Sequence, residues 1–390
     1  MRIRCLLLLA AVLTSPAWGA FPVAEPTAFL ISNSLFDRSP SLATDGQGNS
    51  VVVWSRVALP RVTVVARRFD PQGNPLGKLL QVAANGSLPT VAMNSRGDFV
   101  VAWLDASSPK PFGGYPIRVQ RFAANGARVG GTTQLNTPVE TPLTPPVLGI
   151  DTNGGFAATW SSRSGVFVRR FDAKGAPLEA SHVVAPGFGS SLAMQADGGF
   201  TLVWLGLELT GRRYGADGKP QGADFQINQS KVDGTQSLNA AATQDGGFVA
   251  AWDFCDTATP HQGLTPCRVL ARRFDAGSQP VTDELAVSPQ DGHVNDRPVV
   301  AAGNGYFAIA WRNCQSATFC TISTQLFSPQ STPSPRIAAA IIGSDLTPPA
   351  VAAGPAGFVV AFSSASCSHF FPGCRNNNFR GLYLWRFDFR

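Results

Sequence analysis

The chain has 390 residues, of which 44% are hydrophobic and 14% charged, with 39 glycines, 30 prolines and a formal net charge of +6. This balance excludes a disordered polyelectrolyte. Because Lys and Arg recur along the chain without gathering in a patch, it also argues against a nucleic-acid surface, and no stretch reaches the roughly 18 to 20 apolar residues of a transmembrane helix.

In chain order, the segment MRIRCLLLLAAVLTSPAWGA places Arg2 and Arg4 before an apolar run from Cys5 to Leu13, then small residues around Ala17 and Gly19. That is the layout of a secretory signal peptide. It predicts a signal over residues 1–19, cleavage near Gly19 or Ala20, a single domain over 20–390, and a secreted or periplasmic location. A strand-like run, TAFLISN from Thr27, comes next and has no neighbour to pair with in sequence.

One segment then recurs seven times: GNSVVVW ending at Trp54, GDFVVAW at Trp103, GGFAATW at Trp160, GGFTLVW at Trp204, GGFVAAW at Trp252, GYFAIAW at Trp311 and AGFVVAF at Phe362. Successive ends are 49, 57, 44, 48, 59 and 51 residues apart. Each is a β-branched or aromatic run leaving a Gly-containing turn, which reads as a strand after a tight hairpin. A second element follows each one, as in ARRFDPQGNPLG from Ala66, VRRFDAKGAPLE from Val168 and ARRFDAGSQPVT from Ala271, with LWRFDFR at the end of the sequence. With a short strand before and another after, every unit holds four strands, here called a, b, c and d. Four-stranded units repeated at this period predict an all-β fold, a seven-bladed β-propeller. The last unit stops after strand c, so the strand from Thr27 is expected to complete it and close the ring.

The separation from the aromatic end of strand b to the aromatic residue of strand c runs 15, 19, 11, 10, 22, 16 and 25 residues, while the a-b and c-d turns stay short. Length variation therefore falls on the face that carries the b-c and d-a loops, where a rigid scaffold tends to place function. Six cysteines fall as close pairs in the b-c loops of the last three blades, Cys255 with Cys267, Cys314 with Cys320 and Cys367 with Cys374, and read as three disulfides of an exported protein. The rim beside them supplies the candidate ligand-binding residues: Asp253, Asp256 and His261; Arg312 and Asn313; His369, Phe370, Phe371, Arg375 and Asn376. Blade two adds Asp105, Lys110 and Tyr115. The adjacent Phe370 and Phe371 suit a stacking platform for sugar or peptide, or an inward plug, and the disulfides equally suit simple stabilisation of long loops.

Other motifs read as structure. Interblade packing explains a Trp found in nearly every repeat. The Arg pairs, such as Arg169 with Arg170 and Arg272 with Arg273, are expected to cover neighbouring strands and to meet turn carboxylates such as Asp70, Asp172 and Asp275. Arg96, Gly97 and Asp98 spell an adhesion triplet but occupy an a-b turn. Asp45 and Asp151 lack the closely spaced oxygen ligands of a calcium loop, so neither a metal nor a cofactor is expected. There is no G-x-S-x-G, no H-E-x-x-H and no phosphate loop, and the histidines at 182, 261, 293 and 369 fall in different blades.

With D-x-x-G-x-F-V-V-x-W followed by R-R-F-D-x-x-G-x-P-L-G, the chain resembles the tandem β-propeller repeats of bacterial exported and surface proteins, and more distantly the integrin-α-like group. The resemblance implies the fold. It implies no metal or catalytic residue, since the D-x-D-x-D-G loop of the integrin type and the S-x-D-x-G-x-T-W box of sialidases are absent. The expected function is a monomeric binding or scaffold protein that engages a glycan, peptide or protein on the b-c and d-a face. An extracellular polysaccharide hydrolase or lyase, with its site at the central mouth, and a purely structural module of a cell-surface assembly are the alternatives.

Overall fold

The computed structural model describes residues 27–388 apart from 33, 35, 59, 108–114, 138, 139, 141, 233, 257–264, 317, 318, 343–346 and 365–380. The signal segment, Lys110, His261, Cys367, His369, Phe370, Phe371, Cys374, Arg375 and Asn376 lie outside the described residues.

Among these residues all regular secondary structure is β-strand. After β1 (Thr27–Ser32), antiparallel sheets of four follow one another: β2 (Asp37–Thr44), β3 (Ser50–Ala58), β4 (Arg61–Phe69) and β5 (Pro75–Ala83); β6 (Ser87–Met93), β7 (Phe99–Leu104), β8 (Ile117–Phe122) and β9 (Arg128–Gln134); β10 (Val147–Ile150), β11 (Phe156–Ser162), β12 (Gly165–Phe171) and β13 (His182–Ala185); β14 (Phe188–Met194), β15 (Phe200–Leu205), β16 (Leu209–Tyr214) and β17 (Phe225–Gln226). An eight-stranded assembly comes next. In it β18 (Leu238–Ala242), β19 (Phe248–Cys255), β20 (Cys267–Phe274) and β21 (Leu285–Ala286) form one antiparallel set, and β22 (Val294–Gly303), β23 (Tyr306–Ser316), β24 (Phe319–Phe327) and β25 (Ile337–Ile342) form another. A single parallel pairing, Cys267 with Val294, joins them. The last sheet contains β26 (Ala350–Gly354), β27 (Gly357–Ser364) and β28 (Gly381–Asp388), and β1 pairs antiparallel with β28 from Thr27↔Arg386 to Ser32↔Leu382.

These sheets stack as a β-propeller because their b and c strands are apolar on both faces and must be covered on both. Each aromatic residue ending strand b packs on the sheet before it: Trp103 on Val53 and Val64, Trp160 on Ala102 and Ile117, Trp252 on Val203 and Leu209. Trp54 in the first sheet packs in one cluster with Val359, Ala361 and Leu384 of the last. Within five sheets the aromatic residues that begin strand b and end strand c stack with ring centroids 4.6 to 4.8 Å apart. The innermost strands are tied as well. The Ser41 and Ser191 hydroxyls accept hydrogen bonds from the amides of Val91 (3.1 Å) and Ala240 (3.0 Å), and Asn239 Oδ1 accepts one from the Val300 amide (2.8 Å). The Thr44 hydroxyl donates to the Ala353 carbonyl, again between the first sheet and the last.

The Arg pairs correct one expectation. Asp70, Asp172 and Asp275 do not receive them, because each uses Oδ1 to accept two amides of its own turn. One turn carboxylate does meet a pair, Asp245 at 2.7 Å from Arg273, and Arg212 holds Asp224, but most of the guanidinium groups reach carbonyls of neighbouring sheets. The first Arg of a pair reaches back: Arg169 donates to Leu135 O (2.8 Å), Arg212 to Val184 O (3.2 Å) and Arg272 to Ile227 O (3.0 Å). The second reaches forward, Arg121 to Ala173 O, Arg170 to Ala216 O and Asp217 O, and Arg213 to Gly246 O. Arg170 also holds Glu179 in a two-pronged pair at 3.1 and 3.0 Å. Its largely buried head leaves several acceptors unpaired when removed, so Arg170→Ala should lower unfolding free energy in denaturant titration by about 3 kcal/mol. The solvated Lys219→Ala should leave the midpoint unchanged.

Candidate functional site

The two faces of the propeller are built differently. On one, the a-b turns of the first five sheets repeat a single five-residue geometry: Asp45 N bonds to Asn49 O and Gly48 N to Asp45 O, with the same pattern at Asn94–Asp98, Asp151–Gly155, Gln195–Gly199 and Thr243–Gly247, while the last two close in two residues, between Gly303 and Tyr306 and between Gly354 and Gly357. The c-d turns at Asp70–Asn74, Ala123–Ala127, Asp172–Ala176, Gly215–Lys219, Asp275–Gln279 and Ser328–Thr332 share the five-residue geometry. The fourth residue has a left-handed backbone, hence Gly48, Gly97 and Gly126, with Ser278 and Ser331 adopting φ of 63° and 62° where glycine is missing. The adhesion triplet is one such turn, with the amides of Arg96 and Asp98 donating to Asn94 Oδ1. Asp45 and Asp151 likewise accept turn amides.

The opposite face carries the b-c and d-a connections, whose lengths differ from sheet to sheet. Three d-a connections begin alike, with Leu135, Ile227 and Val287 donating to Ile117 O, Leu209 O and Val269 O, and with Asn136, Asn228 and Ser288 accepting from the amides of Ile117, Leu209 and Val269. Here several sequence candidates are buried and engaged by partners within the chain. Asp253 is fully buried and accepts hydrogen bonds from the amides of Gln236 (2.7 Å), Ser237 (3.0 Å) and Arg297 (3.3 Å) and from the Ser237 hydroxyl (2.5 Å). Burial pushes its carboxyl above the usual range against these donors. It pins the loop before β18, and β22 of the next set, to the end of β19. Arg312 and Asn313 are buried too: Arg312 grips Asp296 at 2.8 and 2.5 Å, and Asn313 Nδ2 donates to Asn295 Oδ1, which also accepts from Trp311 Nε1. Asp105 pairs with Arg118 at 3.0 Å. Burial acts to raise the Asp105 carboxyl, but the Ser107 hydroxyl and amide, with Arg118, outweigh it and hold the carboxyl below its ordinary value. Tyr115 remains exposed.

The cysteines differ from expectation in position. Cys255–Cys267 and Cys314–Cys320 are disulfides, but each joins directly paired residues of strands b and c rather than lying within the loop, because β19, β20, β23 and β24 run further toward this face than their apolar patterns indicate. They staple the bases of the hairpins.

Beside the first staple lies an open groove of about 570 Å³ lined by Phe254, Asp256, Arg268, Gln290, Asp291 and His293. Only Asp256 of these was a sequence candidate. The Arg268 guanidinium stacks 5.0 Å above the Phe254 ring, and His293 Nδ1 lies 3.0 Å from the Asp291 carboxylate. The Cys267 amide donates to His293 O, which fastens the d-a loop to the disulfide. The sequence signal for this site is weak: an Asp-Gly-His in the loop after β21, whose proximity to Cys267 is visible only once the strands are laid together. Planar stacking groups beside two carboxylates and an imidazole can hold a polar ligand. Among the described residues no three His, Cys, Asp or Glu gather as metal ligands.

No protein-family model and no curated protein sequence matches the chain. Among solved structures it is similar to a protein of unknown function from Dyadobacter fermentans (TM-score 0.49, 12% identity, 80% of this chain and 97% of that one). It is also similar to the β-propeller domain of the Trilobed protease from Pyrococcus furiosus (TM-score 0.48, 10% identity, 90% and 95%) and to BamB from Moraxella catarrhalis (TM-score 0.45, 10% identity, 93% and 99%). No helix among the described residues is long and apolar enough to cross a membrane.

Proposed function

We propose that this chain is a secreted or periplasmic binding or scaffold protein. In this reading it is a monomeric seven-bladed ring closed by β1, free of cofactor, that engages a glycan, peptide or protein on the face of the b-c and d-a loops. The observation that supports it is the asymmetry just described: short turns, most of one geometry, on one face, and on the other connections of varied length, two of them stapled at the base by disulfides and one of these bordering an open groove. The test is a combined glycan, peptide and protein array on the purified protein, beside Arg268→Ala with Asp291→Asn on the groove, Phe370→Ala with Phe371→Ala on the last hairpin, and Lys174→Glu on the turn face. Binding that loop-face changes reduce and Lys174→Glu leaves intact is the expected result. Binding sensitive only to Lys174→Glu sinks the assignment.

The His293–Asp291 pair in an open groove favours a second reading, an extracellular polysaccharide hydrolase or lyase. Release of new reducing ends from a polysaccharide panel, lost in His293→Ala, would establish it in place of the binding role. Export carries its own check. Non-reducing peptide mapping of the secreted protein is expected to return three local disulfides, with Cys367–Cys374 as the third, and a mature N-terminus at residue 20 or 21. A crossed linkage would undo the loop assignment.

A further inference from the structure

Two histidines lie among the described residues, and they are held differently. His182 has the carbonyl of Ala180 3.5 Å from its ring. His293 faces a carboxylate that is itself fixed. Asp291 Oδ1 accepts hydrogen bonds from the His293 amide (3.2 Å) and from Asn295 Nδ2 (3.3 Å), and Oδ2 stands 3.0 Å from His293 Nδ1. Asn295 is fully buried and anchored in turn, its Oδ1 accepting from Trp311 Nε1 (3.0 Å) and Asn313 Nδ2 (2.6 Å). A relay of polar contacts therefore runs from the core around Trp311 to an imidazole on the wall of the groove.

This relay sets which ring nitrogen is free to react. His293 Nδ1 is shielded from solvent and meets Asp291 Oδ2 off the line of a full hydrogen bond, which a small turn of the ring supplies when a ligand is seated. A carboxylate at Nδ1 keeps the proton there, so Nε2 retains its lone pair and serves as a base. Among the described residues Nε2 meets no hydrogen-bond partner.

The same groove holds a cation that no carboxylate neutralises. Arg268 pairs across the hairpin with Phe254 and lies 5.0 Å over its ring. Its guanidinium makes no ion pair or hydrogen bond among the described residues, and its Nε is shielded from solvent without a partner. His293 is brought to it through Cys267, whose amide donates to His293 O at 3.0 Å and which pairs with Val294. Both side chains line one groove of about 570 Å³. Asp291 is committed to His293 and to Asn295, so the groove does not present the pair of carboxyl groups that hydrolysis of a glycosidic bond uses. A base beside an unpaired guanidinium suits another reaction, removal of a proton next to a carboxylate.

We propose that the groove cleaves uronate-containing polysaccharides by β-elimination. Arg268 pairs with the uronate carboxylate and stabilises the negative charge that builds on it. His293 Nε2 takes the proton from the ring carbon bearing that carboxylate. The C–H electron pair becomes a carbon–carbon double bond, the glycosidic C–O bond on the next carbon breaks, and its oxygen leaves with a proton from water admitted by the open groove. His293 then returns its proton to solvent, so no oxidant or reductant is consumed. Asp256 can accept sugar hydroxyls. This rests on the enzymatic reading of the groove and selects elimination over hydrolysis.

The test incubates the purified protein with polygalacturonate, alginate, hyaluronate and heparan sulfate and follows the ultraviolet absorbance of the double bond conjugated to the carboxylate. A rise with at least one polymer, absent after its carboxylates are reduced to alcohols, is the expected result. His293→Ala should lower turnover at least about hundredfold while affinity electrophoresis shows the polymer still bound. Asp291→Asn acts through the imidazole and should lower kcat with little change in KM, whereas Arg268→Ala should raise KM as well and Arg268→Lys recover part of the loss. All these side chains are partly exposed, so circular dichroism should match the unaltered protein, and Lys174→Glu on the turn face should leave the rate unchanged. No absorbance from any polymer, or a rise that survives His293→Ala, overturns the proposal. New reducing ends without absorbance, lost in His293→Ala, overturn elimination alone and keep an enzyme in the groove. Polymer bound through Arg268 with neither product overturns both and leaves the binding role.

Discussion

Replacing Asp296 with Ala should destabilise the protein by about 3 to 5 kcal/mol, more than any other single loop-face change proposed here. Asp296 and Arg312 sit opposite each other at the open ends of β22 and β23, their side chains only 11% and 8% exposed, and the guanidinium makes two parallel hydrogen bonds to the carboxylate. Taking the anion away leaves a buried cation with neither water nor partner, which costs far more than the intact pair contributes. The distinction is testable. The double variant Asp296→Leu with Arg312→Met removes both charges and should recover most of the loss, since an apolar pair of similar volume escapes the desolvation cost. The pair Asp37–Arg56 in the first sheet, whose Arg is 34% exposed, serves as comparison, and its disruption should cost markedly less. Equilibrium urea unfolding of the four proteins decides the matter. Single-variant losses below about 1 kcal/mol would mean that water reaches the pair and that Arg312 is available as a ligand residue after all.

That experiment bears on why the sequence revealed the scaffold better than the rim. The repeated strand b and the Gly-containing turns are local signals: a β-branched run, an aromatic end and a left-handed turn position lie within a dozen residues, and physics ties each to the next. The packing of each Trp on the previous sheet follows from the same period. The rim obeys no period. Asp253 follows its Trp as a polar residue that looks free to bind, yet it is closed over by Gln236, Ser237 and Arg297, the last 44 residues away. Arg312 and Asn313 were drawn inward by Asp296 and Asn295 from the opposite strand. Candidate ligand residues chosen by polarity were therefore those most in need of partners, and the fold supplied them.

The Arg pairs teach the same lesson from the other direction. Each pair sits two residues or fewer from an Asp in most repeats, and proximity in sequence invites an ion pair. A strand places that Asp in the turn, where its own backbone amides claim it first, and directs the guanidinium sideways to carbonyls some 28 to 52 residues distant. Conversely the His293–Asp291 groove depends on which loops adjoin across strands, and no residue type marked it in advance.

Deleting β1 is expected to have the second large effect, and it tests the proposed closure of the ring directly. Phe29 and Ile31 lie in the cluster that also holds Trp54, Val65 and Phe69 of the first sheet and Leu382 and Leu384 of the last. Phe29 reaches as far as the turn at Gly73, where an added Cβ would stand 2.9 Å from its ring. Losing the strand uncovers that seam and exposes the whole edge of β28, whose amides and carbonyls now pair with β1. Burial of Ile31 and partial burial of Phe29 are together worth at most about 3 to 6 kcal/mol, and an unpaired edge invites association with other chains. A chain lacking residues 27–33 should unfold at lower urea, with Trp fluorescence and far-UV circular dichroism no longer coincident, because the first and last sheets have lost the strand that binds them into one cooperative unit. A synthetic TAFLISN peptide added in trans should restore part of the midpoint, as a ligand that binds only the folded ring must. Coincident transitions at an unchanged midpoint would show that the sheets hold together without β1, and the ring would then have to be regarded as held by the contacts of β2 and Trp54 with the last sheet alone.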